Sequence, residues 1–159
     1  MIVQPPSTRR CWHGIECDDP PEMRHAHDEL CEMAGLMLSS REKRFPQMVT
    51  ENAIGNEAAD RQLAVFRGLA AHWIWIATGT GEPASHALIA SAAEALDESL
   101  RTLAVIADRR GGFDVDLAHQ AACVVALRWH ADWRRDVRLR ALTTASFQLR
   151  QAARKKADA

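Results

Sequence analysis

The chain has 159 residues, 47% of them hydrophobic and 26% charged, which suffices for one domain with a real core and is too apolar for a disordered segment. It contains five Trp, four Phe and no Tyr, with few β-branched residues and no strict apolar/polar alternation, all of which count against a sheet protein. The net charge of −1 conceals a division: residues 1–127 carry −7 and residues 128–159 carry +6, a polarity suited to placing the basic end on an acidic partner.

Residues 1–19 read as an irregular segment, with Pro5-Pro6 and Gly14 and no apolar run of the kind a signal peptide carries. A cytoplasmic location is therefore expected, with the four cysteines reduced rather than bridged. The first helix is expected to start near Asp19-Pro20-Pro21-Glu22 and to end before Pro46. Met23, His27, Leu30, Ala34, Met37 and Leu38 form its apolar face.

After a loop, Asn56 offers a cap for a second helix that runs to about Thr78. Ala59, Leu63, Phe66, Ala70, Trp73 and Ala77 form its seam, and Leu69, Trp75 and Ile76 add apolar surface outside that seam, so this helix should be central. Gly79-Thr80-Gly81 breaks the chain. A third helix runs from about Pro83 to Arg109 on Ile89, Ala92, Leu96, Leu100 and Leu103, and Arg110-Gly111-Gly112 ends it.

Asp114 caps a fourth helical pattern that meets no Pro or Gly until about Lys156. Arg128 and Arg135 intrude on its apolar arc, so a break near residues 132–137 would yield a fifth helix, and the turns past residue 140 are expected to overhang the rest. The expected fold is all-α: an antiparallel bundle of four or five helices spanning residues 20–156 as one domain, behind an irregular residue 1–19 segment. The longest apolar stretch, Leu63 to Thr78, is interrupted by Arg67 and His72 and is too short to span a bilayer.

The densest chemistry lies between Cys11 and Cys31, where Cys11-x-His13-x3-Cys17 is followed by His25-x-His27-x3-Cys31. Thiolate and imidazole are the donors zinc prefers. Residues two apart on a helix point about 200° apart, so His25 and His27 cannot share an ion. The candidate set is therefore Cys11, Cys17, His27 and Cys31, a structural zinc site that would clamp the N-terminal segment to the first helix. Against it stands the C-x5-C spacing, longer than the usual knuckle, and the ease with which Cys and His occupy the edge of a core. Glu22-x-x-His25 and Asp116-x-x-His119 have the spacing of the Glu-x-x-His ligand pairs of di-iron bundles, but the second and third helices offer no facing carboxylate.

No nucleophile elbow, phosphate-binding glycine loop or zinc-protease motif is present, so the sequence makes no positive case for an enzyme. The expected function is a non-enzymatic interaction or regulatory protein that binds itself, as a homodimer, or another protein. Trp75, Trp129, Trp133, Arg134 and Arg138 are the candidate contact residues. The alternative is a nucleic-acid-binding regulator, with Trp129 and Trp133 one turn apart as stacking platforms beside the C-terminal arginines.

Overall fold

The computed structural model describes residues 8–159 as a mostly helical molecule with five helices and one small sheet. The strands β1 (Thr8–Trp12) and β2 (Ile15–Asp19) pair antiparallel, with Trp12 opposite Ile15 and Arg10 opposite Cys17. The segment expected to be irregular is thus a hairpin from residue 8 onward. His13 (φ 52°) and Gly14 (φ 94°) form its two-residue turn, both in the left-handed region that matches the twist of the flanking strands.

Directly opposed residues share a face, so Trp12, Ile15 and Cys17 look inward and Arg9, Cys11, Glu16 and Asp18 look outward. Trp12 and Ile15 are buried in the main core. Arg10 and Arg128 stack on the Trp12 ring with their guanidinium carbons at 3.5 and 5.5 Å from its centroid. A two-stranded hairpin is marginal alone; docking on the helices holds this one. The alternation was hidden because the inward face carries only two large apolar residues and the outward face carries a cysteine.

A 3-10 turn, Glu22–His25, separates the hairpin from α1 (His27–Thr50). The helix thus starts five residues later than Glu22, and His25 and His27 do not lie on one continuous helix. At its other end α1 runs through Pro46 rather than stopping before it. Pro46 removes the N–H that would reach the carbonyl of Glu42, but both residues are exposed, so water can serve that carbonyl. Phe45, buried just before it, ties this stretch to the protein. The helix closes where Asn52 turns left-handed (φ 57°) and the Ala53 N–H reaches the Met48 carbonyl at 2.8 Å.

The helix α2 (Asn56–Thr78) follows Gly55, and α3 (His86–Arg110) is capped by the Ser85 side chain, which accepts from the Leu88 N–H. Asp114 caps α4 (Val115–His130) in the same way through the Leu117 N–H at 2.7 Å. α1 packs against α2 and α4, and α3 packs against the same two helices, so the four enclose one core. Leu30, Phe66, Trp73, Leu96, Leu100, Val124 and Leu127 are its innermost side chains.

The fourth helical pattern is two helices. α4 ends at His130, Ala131 and Asp132 make the corner, and the Asp132 side chain caps α5 (Trp133–Ala157) by accepting from the Arg134 N–H. Only Asp136 and Leu139 of α5 are buried. Beyond residue 140 it overhangs, with Leu142 and Leu149 exposed at 62% and 72%. Phe147 there approaches Gly79, where an added Cβ would stand 2.7 Å from a ring carbon and the φ of 76° already favours glycine. No helix among the described residues is long and apolar enough to cross a membrane.

Candidate functional site

Three of the polar constellations among the described residues have a chemistry of their own. The most buried is centred on Asp136, which is 1% exposed. His72 of α2 donates from Nε2 to Asp136 Oδ1 at 3.1 Å, and Arg140, one turn further along α5, donates from Nε to Oδ2 at 2.8 Å. Burial raises the Asp136 carboxyl, but the His72 and Arg140 hydrogen bonds outweigh it and leave the group below its ordinary value. On the other side of the ring, His72 Nδ1 accepts from the Ala84 N–H at 3.1 Å. Both imidazole nitrogens are therefore occupied, and the pair locks α2, the loop before α3, and α5 together. A His–Asp pair serving as a general base needs one nitrogen free to meet a substrate proton.

The second constellation is aromatic. His130 sits with its ring centroid 5.3 Å from Trp73, 4.8 Å from Trp129 and 6.0 Å from His27. Its Nε2 donates to the Arg24 carbonyl at 2.7 Å, and its Nδ1 has no protein partner. Burial pushes the His130 pKa down to about 4, against the carbonyl contact, which favours the charged form. His27 is lowered too, by burial and then by His25.

The third joins α1 to α4. His119 and Cys123 stand one turn apart on α4, and Glu29 of α1 faces them. His119 Nε2 lies 3.4 Å from a Glu29 carboxylate oxygen and 3.7 Å from Cys123 Sγ, and the three donor atoms lie within 4.8 Å of one another. Glu29 and His119 are half exposed, whereas Cys123 is fully buried. Burial, and then the charges of Glu29 and Glu32, push the Cys123 thiol up to about 11.

The four donors expected from the sequence stand elsewhere. Cys11 and Cys17 project from opposite faces of the hairpin, Cys11 outward and Cys17 against the core. His27 packs on Trp73, and Cys31 sits half-buried at the edge of the core. Among the described residues, no three of these four donors converge to within the 4.8 Å that joins Glu29, His119 and Cys123. Burial raises the Cys17 and Cys31 thiols, with Asp19 and Asp28 respectively adding to the effect. His13, the spare histidine, instead meets Asp97 of α3 at 2.9 Å, an oxygen that Arg128 of α4 also reaches at 2.9 Å.

The expected contact residues divide. Trp75 and Trp129 are half-buried and pack on the core, Trp75 tilted against His72 and Trp129 covered by the Arg135 guanidinium at 4.5 Å. Trp129 and Trp133 do not share a helical face, because the Ala131–Asp132 corner lies between them. Trp133, Arg134 and Arg138 are exposed, with Trp133 at 65%. Trp133 and Arg134 line a cleft of about 500 Å³ whose other walls include His86, Ile89, Arg128 and Asp136.

Comparison by family model, by sequence and by structure found no match to a known protein.

Sequence reasoning passed over the Glu29–His119–Cys123 group because its members lie ninety residues apart. The His119-x3-Cys123 spacing was the only local signal.

Proposed function

We propose that this protein is a non-enzymatic interaction protein that pairs with a second copy of itself through α5. The observation that carries the reading is the exposure of Trp133, Val137, Leu142 and Leu149 on one helix of a chain whose two parts are oppositely charged. Trp133 and Val137 lie on one side of α5 and Leu142 and Leu149, seven residues apart, on the other, and the latter pair offers an exposed apolar strip of the kind that marks an interaction surface. The charge division names the occupant: α5 lies within the +6 segment, and the −7 segment of another copy supplies the complementary field. A reciprocal arrangement, with each α5 on the partner's acidic part, closes as a two-fold dimer. The closed His72–Asp136 pair is consistent with a role other than catalysis.

Light scattering coupled to size exclusion tests this. The dimer is expected at about 0.1 M salt and should weaken at about 1 M, where the screening length falls from about 10 to about 3 Å. A monomer at both salt concentrations, at the highest protein concentration attainable, overturns the reading.

Trp133, at 65% exposure beside Arg134 and Arg138, favours a second reading in which α5 meets single-stranded nucleic acid by stacking and phosphate contact. A salt-sensitive gel shift that is lost in Trp133→Ala supports it. Absence of any shift at low salt removes it.

A further inference from the structure

We infer that Glu29, His119 and Cys123 form a zinc site that joins the start of α1 to α4. The distances carry the inference. Zinc bonds of about 2.0–2.3 Å at a tetrahedral angle set neighbouring ligand atoms about 3.3–3.6 Å apart. His119 Nε2 stands 3.4 Å from the Glu29 carboxylate and 3.7 Å from Cys123 Sγ. The 3.4 Å separation therefore leaves room for an ion between the Glu29 carboxylate and the His119 imidazole, and all three donor atoms lie within 4.8 Å of one another.

The chemistry agrees. A thiolate, an imidazole and a carboxylate suit a borderline-soft divalent ion, whereas calcium and magnesium take oxygen ligands alone. Binding replaces the Cys123 thiol proton with the metal and releases that proton to solvent. With Glu29 and Cys123 both anionic, the two negative charges cancel the ion, so the fully buried sulfur is not left as an isolated charge. Glu29 and His119, half exposed, open the site to solvent, and a water molecule completes the tetrahedron.

The packing supplies rigidity. The adjacent Leu30 and Val124 are buried at 0% exposure, which fixes the spacing between the two helices on either side of the donors. The ion would lie on the α1–α4 contact, and none of its three ligands belongs to α5.

The test is a cobalt(II) titration of the full chain without a polyhistidine tag, followed by zinc competition. One equivalent should bind with a near-ultraviolet thiolate-to-cobalt absorption and the strong visible bands of a tetrahedral site, and zinc should abolish both. Cys123→Ser should remove the near-ultraviolet band. Because Cys123 is buried and its replacement could disturb folding, His119→Ala and Glu29→Gln, at half-exposed positions, give the decisive arms. His119→Ala should weaken binding by more than about 100-fold, since even changes outside the ligand set cost about 10–100-fold. Cys17→Ser should bind like the unaltered protein. A chain without the thiolate band, full affinity in His119→Ala, or loss of binding in Cys17→Ser overturns the assignment.

Discussion

Two single residues decide how the core behaves in acid. His130 is held neutral by burial, with its pKa at about 4, whereas an unfolded histidine titrates near 6.5. Between those values the unfolded chain takes up a proton that the folded chain refuses, so stability falls as pH drops from about 6.5 to about 4. The loss from this residue amounts to roughly 3 kcal/mol, and His27 adds to it in the same direction. Asp136 acts in a separate window: its carboxyl is held below the ordinary value, so its contribution is present at neutral pH and is lost only on acidification below about 4. Urea denaturation at pH 7 and pH 5 should therefore show a clear loss at pH 5. His130→Gln, which keeps a donor for the Arg24 carbonyl, should reduce that difference by more than half; an unchanged difference would place the acid sensitivity elsewhere. Asp136→Ala should cost about 3–5 kcal/mol at pH 7 by leaving His72 and Arg140 without their carboxylate. A cost below about 1 kcal/mol would show that the lock does not hold α5. Neither residue stood out in the sequence. His130 and Asp136 look like ordinary polar positions until the corner at Ala131–Asp132 turns Asp136 inward.

At the scale of elements, the helices were legible and the punctuation was less so. Ile89, Ala92, Leu96, Leu100 and Leu103 recur at helical spacing and are all buried on α3, because one packed face dictates the pattern. The same reasoning left the fourth pattern as one helix or two, with a break near residues 132–137, and Asp132 caps the second of two; a cap at that position was visible only as one aspartate among many. Leu142 and Leu149 continue the apolar period without a neighbour to bury them, in keeping with the overhang expected past residue 140. The hairpin was hidden for the opposite reason, having too few apolar residues to show alternation, with its stability borrowed from the helices. Trp12→Ala should therefore release it, at a cost of about 3–5 kcal/mol. Hydrogen exchange is the measure: amides of Thr8–Asp19 should exchange faster while those of α2 and α3 keep their protection near native values. Unchanged exchange in the hairpin would mean that Trp12 is not its anchor. The expected metal ligands failed on element geometry, since strand pairing sends Cys11 and Cys17 to opposite faces.

For the whole molecule, charge polarity is what the sequence displayed most plainly, and the structure gives it a position. The basic residues at the C-terminal end lie on a helix that is only lightly attached, while the acidic excess is spread over the hairpin, the packed helices and the loops that hold Glu51, Glu82 and Asp114. Folding the chain therefore leaves a polarised molecule with exposed apolar side chains at its basic end, the condition under which two copies attract and then bury surface. Leu142→Glu combined with Leu149→Glu should abolish the dimer without lowering the melting temperature by more than a few degrees, because both residues are exposed in the single chain.

Zero-length carboxyl-to-amine cross-linking of a mixture of light and heavy-isotope copies examines the proposed contact itself. The chain has three lysines, and Lys155 and Lys156 lie at the end of α5. Light-to-heavy links from these two lysines to carboxylates within residues 1–127, fading at high salt, are the expected result. Links confined to single copies, or an absence of mixed pairs at a concentration where light scattering finds dimer, would contradict pairing through α5.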